Sequence, residues 1–343
     1  MSACKLPEAA NRGDVGLGFP RYSKRMPTSG KVRVKVLFVD FSDAPASIEP
    51  QQVFSLIYPD APNFYKAVSY GRLDYQLDPY QVWIRMSKPS TDYGWSNLTA
   101  DLHRAYIQEA VTLADQNVDF SKSDMVVVMA NPNAAVLANG PTLTGLSYTA
   151  DGKSFDNGVT SGADLATWSF KWLNHEAGHS MGLVDLYAFS GDMDRFVGGF
   201  SVMGLISGLA PEYLAYERWL LGWLDDAQIS CQKNDDSTVT LTAIELEGGI
   251  KAVMVPTGPT SLVAVESRRA LGFDTQLTKI GALVYTVDTS ILSGSGPVQV
   301  LPNISDKYQS LLGPGSQVTV GKVTISVIQA TDTGDTVRVT VAK

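Results

Sequence analysis

Asn174-His175-Glu176-Ala177-Gly178-His179-Ser180-Met181-Gly182-Leu183-Val184-Asp185 is the stretch on which the reading of this chain turns. Its core is His-Glu-x-x-His. Residues four apart on an α-helix stand one turn above each other, so His175 and His179 face the same way and can share one metal ion. Glu176 is rotated by about 100° from His175, too far round to join the pair but able to reach a water beside it. Two neutral imidazoles with an open coordination position suit zinc, and a carboxylate next to a metal-activated water suits a general base for hydrolysis. Trp168, Trp172, His175 and His179 fall on one stripe, so the segment entering the motif reads as helix. The competing reading is a buried helix face that contains histidines by accident. It leaves two imidazoles in need of partners.

The residues that follow extend the pattern. Gly182 stands where a helix ends in a left-handed turn, and turning there brings Asp185 back toward the metal. The metzincin signature is His-Glu-x-x-His-x-x-Gly-x-x-His followed later by a Met-containing turn. Every position is filled here except the last, where Asp185 stands for the third His. Met203 lies in the Gly-flanked loop Gly198-Gly199-Phe200-Ser201-Val202-Met203-Gly204. Such a Met is commonly core filler; after this motif it is expected as a floor beneath the metal.

The run from His175 to Tyr187 resembles the secreted bacterial metalloproteases of the immune inhibitor A type, which share the metzincin helix and use Asp as third ligand. Supporting likenesses are Val36 to Asp43, Phe64 to Leu73, Tyr216 to Leu224, Val265 to Arg268, Gly272 to Asp274 and Gly281 to Asp288, so the resemblance covers roughly residues 30 to 290. Only the zinc motif within it is specific. The resemblance implies an α/β (α+β) metzincin-like catalytic domain with a twisted mixed sheet and a zinc-binding helix. It implies a secreted, extracellular zinc endopeptidase acting on protein or peptide substrates, with His175, His179 and Asp185 as ligands and Glu176 as base. It also favours a disulfide between the only two cysteines, Cys4 and Cys231. Two unrelated thiols, or Cys4 as a thiolate blocking the zinc, are the alternatives. Members of this family often bind calcium. Asp192 and Asp194, near Asp185, form an acidic loop suited to Ca2+, as do Asp151, Asp156 and Asp164, although neither has EF-hand spacing and solvated turn aspartates are the bland alternative. Some metzincins place a Tyr two residues after the Met; that position is Leu205 here, which leaves Tyr213 as the candidate transition-state donor.

Composition bounds the rest. The chain has 343 residues, 44% of them hydrophobic, and a net charge of −8 from 27 basic and 35 acidic side chains. That balance speaks against nucleic acid as a partner and supplies no basic face for anionic membranes. No apolar run approaches the ~20 residues of a membrane helix, and a monomer is expected. The start, Met1-Ser2-Ala3-Cys4-Lys5, has no charged segment leading into an apolar one and is not a signal peptide. Given the resemblance, a mature secreted enzyme with an added Met is expected, a cytosolic protein being the alternative.

Along the chain, residues 1–30 read as an extended strap, 31–230 as the catalytic domain and 231–343 as a C-terminal all-β, sandwich-like domain, with the boundary just before the polar run Gln232 to Asp236. Lys31 to Phe41 reads as a buried strand, Pro50 to Ile57 and Pro62 to Tyr70 as short helices, and Leu73 to Met86 as a strand. Asn97 to Thr99 caps a long helix whose apolar side is Leu98, Leu102, Ala105, Ile107, Ala110, Val111 and Ala114, with His103 exposed. Met125 to Met129 is a central strand, and Pro211 to Trp223 the last helix. Thr142 to Tyr148 is a candidate edge strand against which a peptide substrate would add, an ordinary surface hairpin being the equal alternative. Two rival functions remain open: a thermolysin-like site with Glu212 or Glu217 as third ligand, and a non-catalytic secreted binding or adhesion protein with a structural zinc.

Overall fold

The computed structural model describes residues 2–9, 14–232 and 236–342. Met1 and Lys233–Asp235, the middle of the polar run expected at the domain boundary, lie outside the described residues. The architecture is mixed α/β with several sheets, and the chain forms two compact units. One comprises Lys24–Lys66 and Gly71–Gly182, the other Met1–Ser23, Ala67–Tyr70 and Leu183–Lys343.

The first unit is built on β1 (Gly30–Asp40), β2 (Leu73–Arg85), β3 (Met125–Ala130), β4 (Ser147–Ala150), β5 (Lys153–Asp156) and β6 (Gly158–Thr160). Four of these form a sheet in the order β2-β1-β3-β6. All three of its ladders are parallel, with Val34 opposite Met125 and Val127 opposite Val159. The mixed sheet expected from sequence is therefore not what forms; its antiparallel element shrinks to a single bridge between Thr142 and Val159. Every residue of β3 is buried, as befits an interior parallel strand covered on both faces. The expected edge strand from Thr142 to Tyr148 is also not continuous. Ser147–Ala150 instead folds back on Lys153–Asp156, through Asp151 and Gly152 at φ 52° and 68°. Two successive positive φ values suit the Asp-Gly hairpin turn.

The long helix of this unit runs Ala100–Ala114, its N-terminus capped by Thr99 Oγ1, which accepts from Leu102 N at 3.3 Å. Ile107, Ala110, Val111 and Ala114 join Leu37, Val39, Val126 and Val128 in one apolar core. The face differs from the expected one: Leu102 and Ala105 are exposed, whereas His103 and Tyr106 are fully buried. Tyr106 explains the rotation, because its ring packs against Tyr93 and Trp95 at 5.2 and 5.1 Å. The helix entering the motif is also interrupted. Asp164–Trp168 and Phe170–Ser180 are separate helices joined at Ser169, which takes φ 54° and ψ −135° and donates its Oγ to Leu56 O. Trp168 consequently stands outside the motif stripe.

The second unit carries β7 (Ile229–Cys231), β8 (Ser237–Thr242), β9 (Ala252–Pro256), β10 (Ser261–Arg268), β11 (Gly281–Asp288), β12 (Val298–Leu301), β13 (Gln317–Val320), β14 (Val323–Thr331) and β15 (Gly334–Val341). They form two sheets, β12-β11-β10-β9-β7 and β13-β14-β15-β8. Val253, Val255, Val263, Val265 and Val284 of one pack with Ile325, Val327, Val337 and Val339 of the other. Alternating β-branched residues on facing strands are the material of a sandwich core, and the sequence had signalled it. The last helix is Ala215–Leu220, shorter than expected and followed by Gly222 at φ 77°. Cys4 and Cys231 are joined by a disulfide, which excludes Cys4 as a blocking thiolate. Among the described residues no helix is long and apolar enough to cross a membrane.

Candidate metal centre

The motif helix, Phe170–Ser180, is anchored at several points of the first unit. Tyr65 Oη donates to Asn174 O at 2.9 Å, Trp172 Nε1 to Gly140 O at 2.8 Å, and Met26 N to Ser180 O at 2.9 Å. Trp172, Leu173 and Ala177 are fully buried, which fixes the rotation of the helix about its axis. His175 and His179 then stand one turn apart with ring centroids 4.8 Å from each other and planes nearly perpendicular.

The helix stops where expected. Met181 is its C-cap, Gly182 follows at φ 99°, and Gly182 N donates to His179 O at 2.8 Å. A side chain at this φ would be strained. Leu183 and Val184 are buried, and the chain then presents Asp185. One ligand atom from each of His175, His179 and Asp185 lies within 4.8 Å of the others. Among the described residues this is the only cluster of three or more His, Cys, Asp or Glu side chains that converges enough to hold an ion.

What orients Asp185 lies far from it in sequence. Ser293, in the loop between β11 and β12, donates Oγ to Asp185 Oδ2 at 3.2 Å and accepts from Asp185 N at 3.0 Å. Gly294 N adds a bond to Asp185 O at 3.3 Å. A hydroxyl more than a hundred residues away leaves no local signal in sequence. Met203 is fully buried; its N donates to Ser201 Oγ at 3.2 Å and its O accepts from Leu186 N at 2.8 Å, tying the Met loop to the residue after Asp185. Ser201 holds that turn at φ 67°.

Glu176 is partly buried, and its Oε2 accepts from Thr142 N at 2.6 Å. Tyr213 is fully buried with its ring 5.5 Å from Trp223. Asp192 and Asp194 are exposed and do not join the convergent cluster. Asp151, Asp156 and Asp164 accept from Phe120 N, Ser147 Oγ and Gly140 N respectively and do not join the convergent cluster. Glu212 is ion-paired with Arg218 at 2.5 Å and also accepts from Phe273 N, while Glu217 accepts from Leu214 N at 2.8 Å. A cavity of about 640 Å3 lies beside the N-terminal halves of β1 and β2, and no motif residue lines it.

The donor set is two imidazoles and one carboxylate, borderline-soft nitrogen with one hard oxygen, which suits zinc and leaves coordination positions for water or substrate. No protein-family model matches the chain, and no curated protein matches it.

Proposed function

We propose that the chain is a secreted zinc-dependent endopeptidase. The observation that supports it is the convergence of His175, His179 and Asp185 within 4.8 Å, beside a carboxylate on the same helix. His175, His179 and Asp185 hold the metal. When bound, zinc supplies Lewis acidity, making a water acidic enough to lose its proton near neutral pH and polarising a carbonyl. Glu176 takes a proton from the attacking water and returns it to the leaving nitrogen as the C–N bond breaks. Ser293 keeps Asp185 turned toward its partners, the part that outer hydrogen bonds play around metal ligands.

The test is digestion of a denatured protein mixture with and without a chelator, with the cut sites read by mass spectrometry. Zinc-dependent cleavage is expected, and Glu176→Gln should bind zinc as the parent does while losing about 10²–10⁴-fold in turnover. Undiminished turnover in that variant removes the general-base assignment; absence of any cleavage by the zinc-loaded parent leaves the metal-binding reading without the protease.

A further inference from the structure

One peptide unit, Pro141–Thr142, is gripped from both sides. Its N–H donates to Glu176 Oε2 at 2.6 Å. Its carbonyl lies 3.1 Å from His103 Nε2, 3.2 Å from Thr160 Oγ1 and 3.4 Å from Thr160 N. A carbonyl only accepts, so a bond from His103 to it needs the proton on Nε2, a nitrogen that also lies 3.2 Å from Thr160 Oγ1. Burial pushes the His103 imidazole down to about 4, against the opposing pull of the Pro141 carbonyl, so the ring is a neutral donor throughout the neutral range. The neighbouring backbone is fixed as well. Gly140 N donates to Asp164 Oδ2 at 2.9 Å, and a Cβ at Gly140 would meet Thr160 O at 2.2 Å. All of these residues belong to the first compact unit.

Two features separate this arrangement from ordinary packing. His103 is fully buried, yet its Nδ1 has no hydrogen-bond partner among the described residues. An unsatisfied buried nitrogen costs about 1–3 kcal/mol, a cost that a leucine or phenylalanine in the same core would avoid. Donation into an amide carbonyl also polarises the amide and strengthens the bond its own N–H makes on the other side. We infer that His103 is a positioning residue for Glu176, aiming its carboxylate through the Pro141–Thr142 peptide. The kinetic consequence rests on the reading of Glu176 as general base; the relay itself is a property of the metal-free chain.

The experiment compares His103→Phe, which keeps a ring but no donor, with His103→Gln, which restores an N–H. In metal-free protein, the Thr142 amide proton is followed by NMR. It should resonate well downfield in the parent, move upfield and exchange about tenfold faster in His103→Phe, and return toward the parent in His103→Gln. In the zinc-loaded protein, kcat should fall about tenfold with KM unchanged in His103→Phe, and recover in His103→Gln. An unmoved Thr142 amide in His103→Phe overturns the relay, and so does equal loss in both variants, which marks a packing role. If His103→Phe does not fold, Thr160→Val removes another donor to the same carbonyl and should shift the Thr142 amide in the same direction; no shift there is equally fatal. If the parent cleaves nothing, the protease reading falls while the amide measurements still decide the relay.

Discussion

Asp185 and Glu212 are carboxylates of the same compact unit, both downstream of the His-Glu-x-x-His helix, and they end in opposite electrostatic surroundings. Asp185 meets a hydroxyl, Ser293 Oγ, and lies in ligand range of two imidazoles. Glu212 meets a buried guanidinium: Arg218 is fully buried, and Glu212 is 1% exposed. Around them Arg268 pairs with Glu266 and Asp274, each at 2.7 Å, and Arg269 with Asp335 at 2.9 Å. Glu212 is neutralised by an arginine within the fold, whereas Asp185 accepts from a neutral hydroxyl and lies in ligand range of two imidazoles. The neighbours, more than the residue type or its distance along the chain, separate the proposed metal ligand from a structural ion pair.

Paired substitutions break or uphold that distinction with the largest effects. Asp185→Ala should lose more zinc affinity than the ~10–100-fold that removal of an outer-shell partner costs, with little change in unfolding free energy of the metal-free protein. Glu212→Ala should do the reverse. It leaves Arg218 buried without its carboxylate, which costs about 3–5 kcal/mol, and it should leave zinc affinity near the parent value wherever the variant stays folded. Calorimetric zinc titration and urea unfolding of both variants give the two-by-two comparison. Loss of zinc in Glu212→Ala with retention in Asp185→Ala would restore the thermolysin-like arrangement.

A smaller effect comes from Glu217, on the helix that carries Arg218. Burial pushes its carboxyl up to about 7, partly offset by the bond from Leu214 N. The native state therefore holds a proton that the unfolded chain releases above its ordinary value of 4.5. The resulting stabilisation is complete below that value and is lost as pH rises through about 7, amounting to roughly 3 kcal/mol at most. Glu217→Gln should flatten this part of the stability profile, measured by urea unfolding at pH 5 and pH 8. An unchanged difference between the two pH values would show that Glu217 is ionised throughout.

The parts that sequence disclosed are those with a short-range cause. His175 and His179 are one helical turn apart, Gly182 supplies its own turn, and β8, β9, β11 and β15 alternate or run apolar within a few residues. What stayed hidden depends on distant partners. The buried face of the long helix turned on the aromatic contacts of Tyr106, so His103 went inward where a polar residue was expected outside. The break at Ser169 follows from a bond to Leu56 O, and the hold on Glu176 comes from the backbone of Thr142, which the sequence marks only as the start of a candidate edge strand. Parallel strand order was likewise invisible, because fully buried strands such as β3 carry no alternation to read.

Ser293 offers the finest test of the comparison, because it changes the neighbour of Asp185 without touching a proposed ligand. Its Oγ donates to Asp185 Oδ2 and accepts from Asp185 N, so one hydroxyl fixes both the side chain and the backbone of that residue. Ser293→Ala removes both bonds at the expense of a single oxygen atom. The carboxylate then keeps its charge and loses its orientation, and zinc affinity should drop about tenfold, the low end for an outer-shell partner. Thermal stability should move little, because Ser293 is only partly buried and the Gly294 N bond to Asp185 O remains. Ser293→Thr keeps the hydroxyl and should stay within a few-fold of the parent. If Ser293→Ala binds zinc as tightly as the parent, this hydroxyl is not what holds the carboxylate for the metal, and the contrast with Glu212 no longer rests on it.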